Sequence, residues 1–163
     1  MKNYILDAAT AALKLERMAY EIVEENMEES ELILAGIRES GSVIARNIQQ
    51  ELAKISSIKT KLISLYLDKK HPTTVELSET IDFNGKVVIV IDDVSNSGRT
   101  MLYALKPLIE FHPKKIETLV LVERSHKFFP VNSDFVGLSV ATTLQEHIFV
   151  EVDGERVKGA YLE

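Results

Sequence analysis

Apolar residues recur at helical spacing from Ile5 to Met27, through Ile5, Ala8, Ala9, Ala12, Leu15, Ala19, Ile22 and Val23. That period predicts one amphipathic helix. Glu31 to Gly36 then holds Leu-Ile-Leu-Ala, the short continuous run that a strand buried on both faces requires. Ser42 to Lys54 returns to the helical period, and Leu62 to Leu67 reads as the next strand. Asp68 to Gly85 is polar and contains Pro72, which predicts a loop with one extended piece at Val75 to Leu77. Val87 to Ile91 is the strongest buried-strand signal in the chain. Thr100 to Phe111 reads as a helix that Pro107 kinks or stops early. Ile116 to Val122 is a further strand rich in β-branched residues.

Strands alternating with helices predict an α/β fold, a central parallel sheet flanked by helices. After Arg124 the pattern changes to three short strands, Phe135 to Val140, His147 to Val152 and Val157 to Tyr161, with a hairpin turn at Asp153-Gly154. These predict a small β appendage, a hood, on the sheet's edge. No repeat, low-complexity tract or long linker interrupts the chain, so residues 1–163 read as one domain.

Composition narrows the function. An apolar fraction of 45% over 163 residues is enough for a sizeable core. Cysteine is absent, which excludes disulfides, thiolate metal sites and cysteine nucleophiles and suits a reducing, cytoplasmic setting. The longest apolar runs fall far short of the ~20 residues of a membrane span, and acids among the first apolar residues (Asp7, Glu16, Glu21) argue against a signal peptide. Nineteen basic against twenty-five acidic residues give a net charge of −6, which argues against a chain-wide nucleic-acid binder. His71, His112 and His147 share no metal-binding spacing.

The chemistry concentrates in Val87-Val88-Ile89-Val90-Ile91-Asp92-Asp93-Val94-Ser95-Asn96-Ser97-Gly98-Arg99-Thr100. A buried strand runs out into two carboxylates, then a Ser-Gly-x-Thr loop, then a helix. Ligands of open α/β sheets sit at the carboxyl ends of strands. A glycine turn opening a helix offers main-chain N–H groups to a phosphate. Carboxylates beside it accept hydrogen bonds from sugar hydroxyls or hold a hydrated Mg²⁺. An acidic strand end before an ordinary capped helix is the plainer alternative; the whole combination favours a ribose phosphate. There is no Gly-Lys-Ser/Thr of a P-loop and no Gly-x-Gly-x-x-Gly.

This segment resembles the phosphoribosyl pyrophosphate (PRPP) loop of type I phosphoribosyltransferases. More of the chain is similar to one branch, the pyrimidine-operon regulators (PyrR) that are also uracil phosphoribosyltransferases. The likeness includes Leu34-Ala35-Gly36-Ile37-Arg38 with Gly41, Leu65-Tyr66 with Asp68, Leu121-Val122-Glu123-Arg124 with His126, Asp134-Phe135-Val136-Gly137 and Glu151-Val152-Asp153-Gly154. It implies that Ser97, Gly98, Arg99 and Thr100 hold a 5′-phosphate, with Val94, Ser95 and Asn96 completing that substrate-binding segment. Asp92 and Asp93 would meet the ribose hydroxyls and Mg²⁺. Arg38, Glu39, Ser40 and Gly41 would face the pyrophosphate, and Arg124 would approach the pyrophosphate or Mg²⁺. Phe135 and Val136 would lie over the base. Asp92, Asp93 and Arg124 are thus the implied catalytic set, Mg²⁺ the cofactor, PRPP and a nucleobase the partners, and a homodimer or larger homo-oligomer the assembly.

Several functional positions depart from that pattern. Glu39-Ser40-Gly41 stands where the family commonly has Thr-Arg-Gly, and Leu65-Tyr66-Leu67-Asp68 where it has Leu-Tyr-Arg-Asp. Two arginines are therefore missing beside an anionic group, with Lys69 and Lys70 following as replacement cations. Leu138 takes the place of a lysine. Asn96 occupies the position where purine enzymes carry an aspartate general base, and an amide takes no proton, so pyrimidine substrates are favoured. Transfer to uracil giving UMP is the leading expectation, at low activity. A catalytically weak PRPP or nucleotide binder is the alternative, and the non-basic stretch Ala141 to Glu146 argues against RNA attenuation.

Overall fold

The computed structural model describes residues 1–163. The chain order is β1 (Asn3–Asp7), α1 (Ala8–Glu25), β2 (Glu31–Ile37), α2 (Ser40–Ile55), β3 (Lys59–Leu67), β4 (Val75–Leu77), β5 (Val87–Ser95), α3 (Arg99–Ala104), α4 (Lys106–Ile109), β6 (Lys115–Arg124), β7 (Phe135–Val140), β8 (Ile148–Asp153) and β9 (Arg156–Leu162). Six strands form the main sheet in the order β4-β3-β2-β5-β6-β7. All neighbours in it are parallel except the edge strand β4, which runs antiparallel to β3.

Both faces of the central strands are covered, which is why β2 and β5 read as unbroken apolar runs. Leu32, Leu34, Ile89 and Ile91 pack into one core with α1 and α2. Ile33, Ala35, Val88 and Val90 pack into the other with Met101, Ala104 and Leu108 of α3 and α4. The crossover after β2 therefore lies on one face and the crossover after β5 on the other. Strand order reverses between these two neighbours, and the crevice at their carboxyl ends is where ligands of open sheets bind.

Three expectations about single elements change, and one about where the appendage sits. Asn3–Asp7 is a strand, not the first turn of the helix; it pairs antiparallel with β9 from the far end of the sequence. The helix starts at Ala8 because Asp7 caps it, its Oδ1 accepting from Thr10 N at 2.7 Å. Phe135–Val140 is not in the appendage: it extends the main sheet parallel to β6. Asp134 sets that register, accepting from Thr118 N at 2.8 Å while its own N–H donates to Thr118 O at 3.0 Å. The helix expected over Thr100 to Phe111 is two short ones broken at Leu105, just before Pro107 at the second position of α4.

The appendage is a separate antiparallel sheet, β1-β9-β8. It does not hang from an edge. It packs against α1 and α2 and brings β8 over the ends of β5 and β6, with Leu6, Ile148, Ala160 and Leu162 buried in the same core as α1. No helix is long and apolar enough to cross a membrane.

Candidate functional site

A cavity of about 340 Å³ opens at the reversal of strand order, within the range of small-molecule sites. Ser40 at the start of α2, Asp93 to Gly98 at the end of β5 and in the turn beyond it, Thr100 and Met101 of α3, Lys69 from the loop after β3, and Ile148 to Val150 of β8 line it. Gly41 allows this closeness: a Cβ there would stand 2.8 Å from Ile91 O and 3.0 Å from Asp92 Cα, so the helix start lies flush on β5. No side chain caps α2; Ser42 N donates back to Glu39 O at 3.1 Å.

The loop after β5 is a cradle of main-chain donors. Gly98 has φ +86°, a conformation that side-chain-bearing residues rarely adopt. Ser97 O accepts from Phe128 N and Phe129 N, both at 3.0 Å, and Ser97 Oγ accepts from Arg99 N at 3.2 Å. The N–H groups of Asn96, Ser97 and Gly98 donate to no protein atom. Three unpartnered donors in one concave turn have the geometry that suits an anion.

On the opposite wall, β8 offers its free edge. His147 and Glu163 exchange both hydrogen bonds, at 2.8 and 3.1 Å. Alternation along an antiparallel ladder then makes Phe149–Tyr161 the next such pair, and the main-chain groups of Ile148 and Val150 point away from β9 toward the cavity. Asn96 takes those of Ile148: its Oδ1 accepts from Ile148 N at 3.4 Å and its Nδ2 donates to Ile148 O at 3.5 Å. Those of Val150 do not pair with β9 and border the cavity.

A family profile described as the phosphoribosyl transferase domain matches residues 2–155. The chain belongs to the phosphoribosyl transferase domain family. It is 35% identical to the bifunctional protein PyrR of Ligilactobacillus salivarius, over 94% of this chain and 93% of that one. It is likewise 35% identical to the bifunctional protein PyrR of Caldicellulosiruptor bescii, over 91% and 87%. Its fold matches the hypoxanthine phosphoribosyltransferase of Trypanosoma cruzi with a TM-score of 0.79 at 12% identity, covering 99% of this chain and 97% of that one. A hypoxanthine-guanine phosphoribosyltransferase of Bacillus anthracis matches with a TM-score of 0.71 at 17% identity, covering 86% and 83%. The PyrR-like character and the flanked parallel sheet with its appendage therefore hold.

Within this phosphoribosyl transferase chain, the residues singled out by sequence divide. Ser40, Asp93, Val94, Ser95, Asn96, Ser97, Gly98 and Thr100 line the cavity. Asp92 lies directly beneath, 2% exposed. Arg99 turns outward and donates to Lys69 O at 2.7 Å and Lys70 O at 3.2 Å, holding the loop that carries Lys69. Arg38 lies over the Tyr66 ring at 4.6 Å, in a neighbouring depression of about 280 Å³ that Leu67 also lines. The Arg38–Glu39 peptide is cis, and Glu39 is exposed. Arg124, expected near the pyrophosphate or Mg²⁺, is buried behind the cavity, where it donates to Glu146 O and, at 3.4 Å, to Asn96 Oδ1. Phe135 and Val136, expected over the base, lie elsewhere: Phe135 is buried in the core on the α1 face, and Val136 packs into the core on the other.

Sequence reasoning assigns no site role to Ile148, Phe149, Val150 or Met101, and makes Lys69 only a replacement cation. The signal for β8 is its strand pattern, which predicts the element but not that its edge faces the crevice.

The acidic pair is asymmetric. Asp92 Oδ1 accepts from Asp93 N and Asp93 Oδ1 from Val94 N, both at 2.9 Å. Lys69 Nζ stands 3.6 Å from Asp92 Oδ2. Burial, then the neighbouring Asp93 carboxylate, push the Asp92 carboxyl well above the usual range, against a smaller opposing pull from Lys69. A carboxyl raised in the folded state stabilises the protein below its unfolded pKa, and that contribution is lost as pH rises through the folded value. Asp92→Asn is therefore expected to be more thermostable than wild type at pH 8 and indistinguishable at pH 3. Each unit of upward shift corresponds to about 1.4 kcal/mol, or roughly 3–6 °C in Tm for a chain this size. Thermal melts of both proteins across pH check this; a gap that fails to close in acid refutes it.

Proposed function

We propose that this chain transfers the 5-phosphoribosyl group of PRPP to uracil, giving UMP and diphosphate. The observation that carries the reading is the sequence of groups around one cavity: unpartnered N–H donors at Asn96 to Gly98, carboxylates at Asp92 and Asp93, and the open edge of β8 at Val150. A 5′-phosphate sits on the donors, ribose hydroxyls meet Asp93, and one N–H beside one C=O of Val150 suits the alternating acceptors and donors of a pyrimidine ring. The bond from ribose C1 to diphosphate breaks with its electron pair leaving on diphosphate, the base nitrogen bonds C1, and the displaced proton goes to solvent. Positioning and charge neutralisation supply the rate.

The site fits Mg²⁺ only as an ion arriving with the diphosphate. No three metal-ligating side chains cluster in the protein, and a hydrated Mg²⁺ needs only one or two carboxylates beside a phosphate. Asp93 would hold it, with Asp92 behind; once bound, it neutralises the leaving diphosphate. Ser40 and Leu67 supply no charge where the family has arginine, so turnover below the ~10 per second of a typical enzyme is expected.

The lone cation on the cavity wall, Lys69, favours one second reading, a nucleotide binder with vestigial activity. Purified protein with PRPP, Mg²⁺ and labelled uracil or hypoxanthine, followed for nucleotide formation, separates the two. UMP formation with uracil preferred supports transfer. UMP binding with no product from either base supports the second reading.

A further inference from the structure

Behind the turn that carries the unpartnered N–H groups lies an ion pair to which the proposed reaction gives no task. Lys127 Nζ donates to Glu123 Oε2 at 2.8 Å, and the two side chains are only 7% and 15% exposed. Desolvation offsets much of the attraction in such a pair, and apolar residues of similar size often serve stability as well. Its position suggests a different role. Glu123 stands beside Ser95, the last residue of β5, in the register of the sheet. Lys127 follows in the loop after β6, and its Cδ lies 3.6 Å from the place a Cβ would take on Gly98. The next residues hold the turn from the same side. Phe128 N and Phe129 N donate to Ser97 O, and Phe129 O lies 3.3 Å from that same point on Gly98.

We infer that Lys127 is a positioning residue for the 5′-phosphate, seating the turn from behind and adding positive potential through it. This rests on the reading of Asn96 to Gly98 as the phosphate site and extends it to side chains outside the cavity. The contacts of Lys127, Phe128 and Phe129 fall on Ser97 and Gly98, the two residues whose conformation aims the donors. An ammonium has three N–H donors, and Glu123 is the one protein acceptor that Lys127 meets. Its charge is therefore incompletely matched, and burial keeps water from screening it. An anion on the far side of the turn meets a fixed cation that needs no rearrangement. Glu123 holds Lys127 in place and subtracts from its field. The two lysines thereby divide the ligand. Lys69 reaches the cavity wall, where the diphosphate leaves, whereas Lys127 stays behind the turn and serves the phosphate that remains on the ribose.

Calorimetric titration of the full chain with ribose 5-phosphate tests this, and the signs of the effects separate field from scaffold. Lys127→Met is expected to bind about tenfold more weakly, the scale of one partly screened charge several ångströms from an anion. Lys127→Arg, which keeps the charge, should restore most of the affinity. Glu123→Gln is expected to bind more tightly than wild type, although it too removes one member of the buried pair. The double variant Glu123→Gln with Lys127→Met strands neither charge, so it decides even where a single variant fails to fold; it should bind more weakly than wild type. A folded double variant with wild-type affinity overturns the proposal. So does a Glu123→Gln that weakens binding as far as Lys127→Met, since the pair is then scaffold alone. With PRPP as the varied substrate, Lys127→Met should raise KM and leave kcat nearly unchanged, the mark of binding shared by ground and transition states. A fall in kcat at constant KM refutes the division between the two lysines. Failure of the wild type to bind ribose 5-phosphate at all removes the phosphate reading itself, and this inference with it.

Discussion

Replacing Lys69 with methionine is expected to lower kcat/KM for PRPP thirty- to a thousandfold while leaving the fold intact. Lys69 is the one cationic side chain on the cavity wall. Arg38 is stacked on Tyr66, Arg99 is tied to the backbone at Lys69 and Lys70, and Arg124 is buried behind Asn96. Removing a charge-assisted hydrogen bond from a dry site costs about 2–4 kcal/mol, which at about 1.4 kcal/mol per tenfold gives that range. Lys69 is half exposed and its partner Asp92 is already pushed toward its neutral form. Solvent screens the half-exposed Lys69 ammonium, so little stability goes with its removal. Steady-state kinetics with PRPP varied measure the effect. Lys69→Arg should recover most of the rate, since the charge is kept. A decrease smaller than fivefold in Lys69→Met would show that Lys70 or Arg38 swings in to neutralise the diphosphate.

Gly98→Val is expected to weaken binding of ribose 5-phosphate by a hundredfold or more. At φ +86° a branched side chain is strained, and its Cβ would stand 3.3 Å from Phe129 O. Relief requires the turn to rotate, which disperses the unpartnered N–H groups of Asn96, Ser97 and Gly98. Each hydrogen bond to a charged group is worth about 1.5–3 kcal/mol, so breaking two gives the stated factor. The strain itself costs about 1–3 kcal/mol of stability. Calorimetric titration beside a thermal melt separates the two effects. A lowered melting temperature with unchanged affinity would reduce Gly98 to a turn residue.

The centre of the fold is legible because its strands are buried on both faces: Leu32 to Ala35 and Val87 to Ile91 need no period to be seen. β5 nevertheless continues through Asp92 and Asp93 to Ser95. Carboxylates are depleted in strands, and these two are tolerated because each accepts from the next residue's N–H. The pairing of Asn3–Asp7 with β9 is not legible, because an association between chain ends leaves no local trace. The turn proposed to hold the phosphate is legible because it is written in main-chain geometry that only a few residue types permit, glycine above all. The opposite wall is not: main-chain groups of any residue serve at a sheet edge, so nothing in the identity of Val150 marks it. Arg124 shows a further limit. Sequence supplies the cation, but the carbonyl of Glu146 decides where it points.

The two walls of the cavity belong to sheets that share no strand. One is the main sheet with its cradle; the other is a three-stranded sheet stitched from both ends of the chain. The chief side-chain rivet between them is the Asn96 amide at Ile148. Inheritance can therefore act on the walls separately. Drift along β8 is constrained inward, where Ile148 must fill the core, yet outward positions and the strand's exact seating are free to wander. A descendant could retune what lies against Val150 and keep the sugar-phosphate grip untouched. The architecture works as a fixed chuck with an exchangeable jaw.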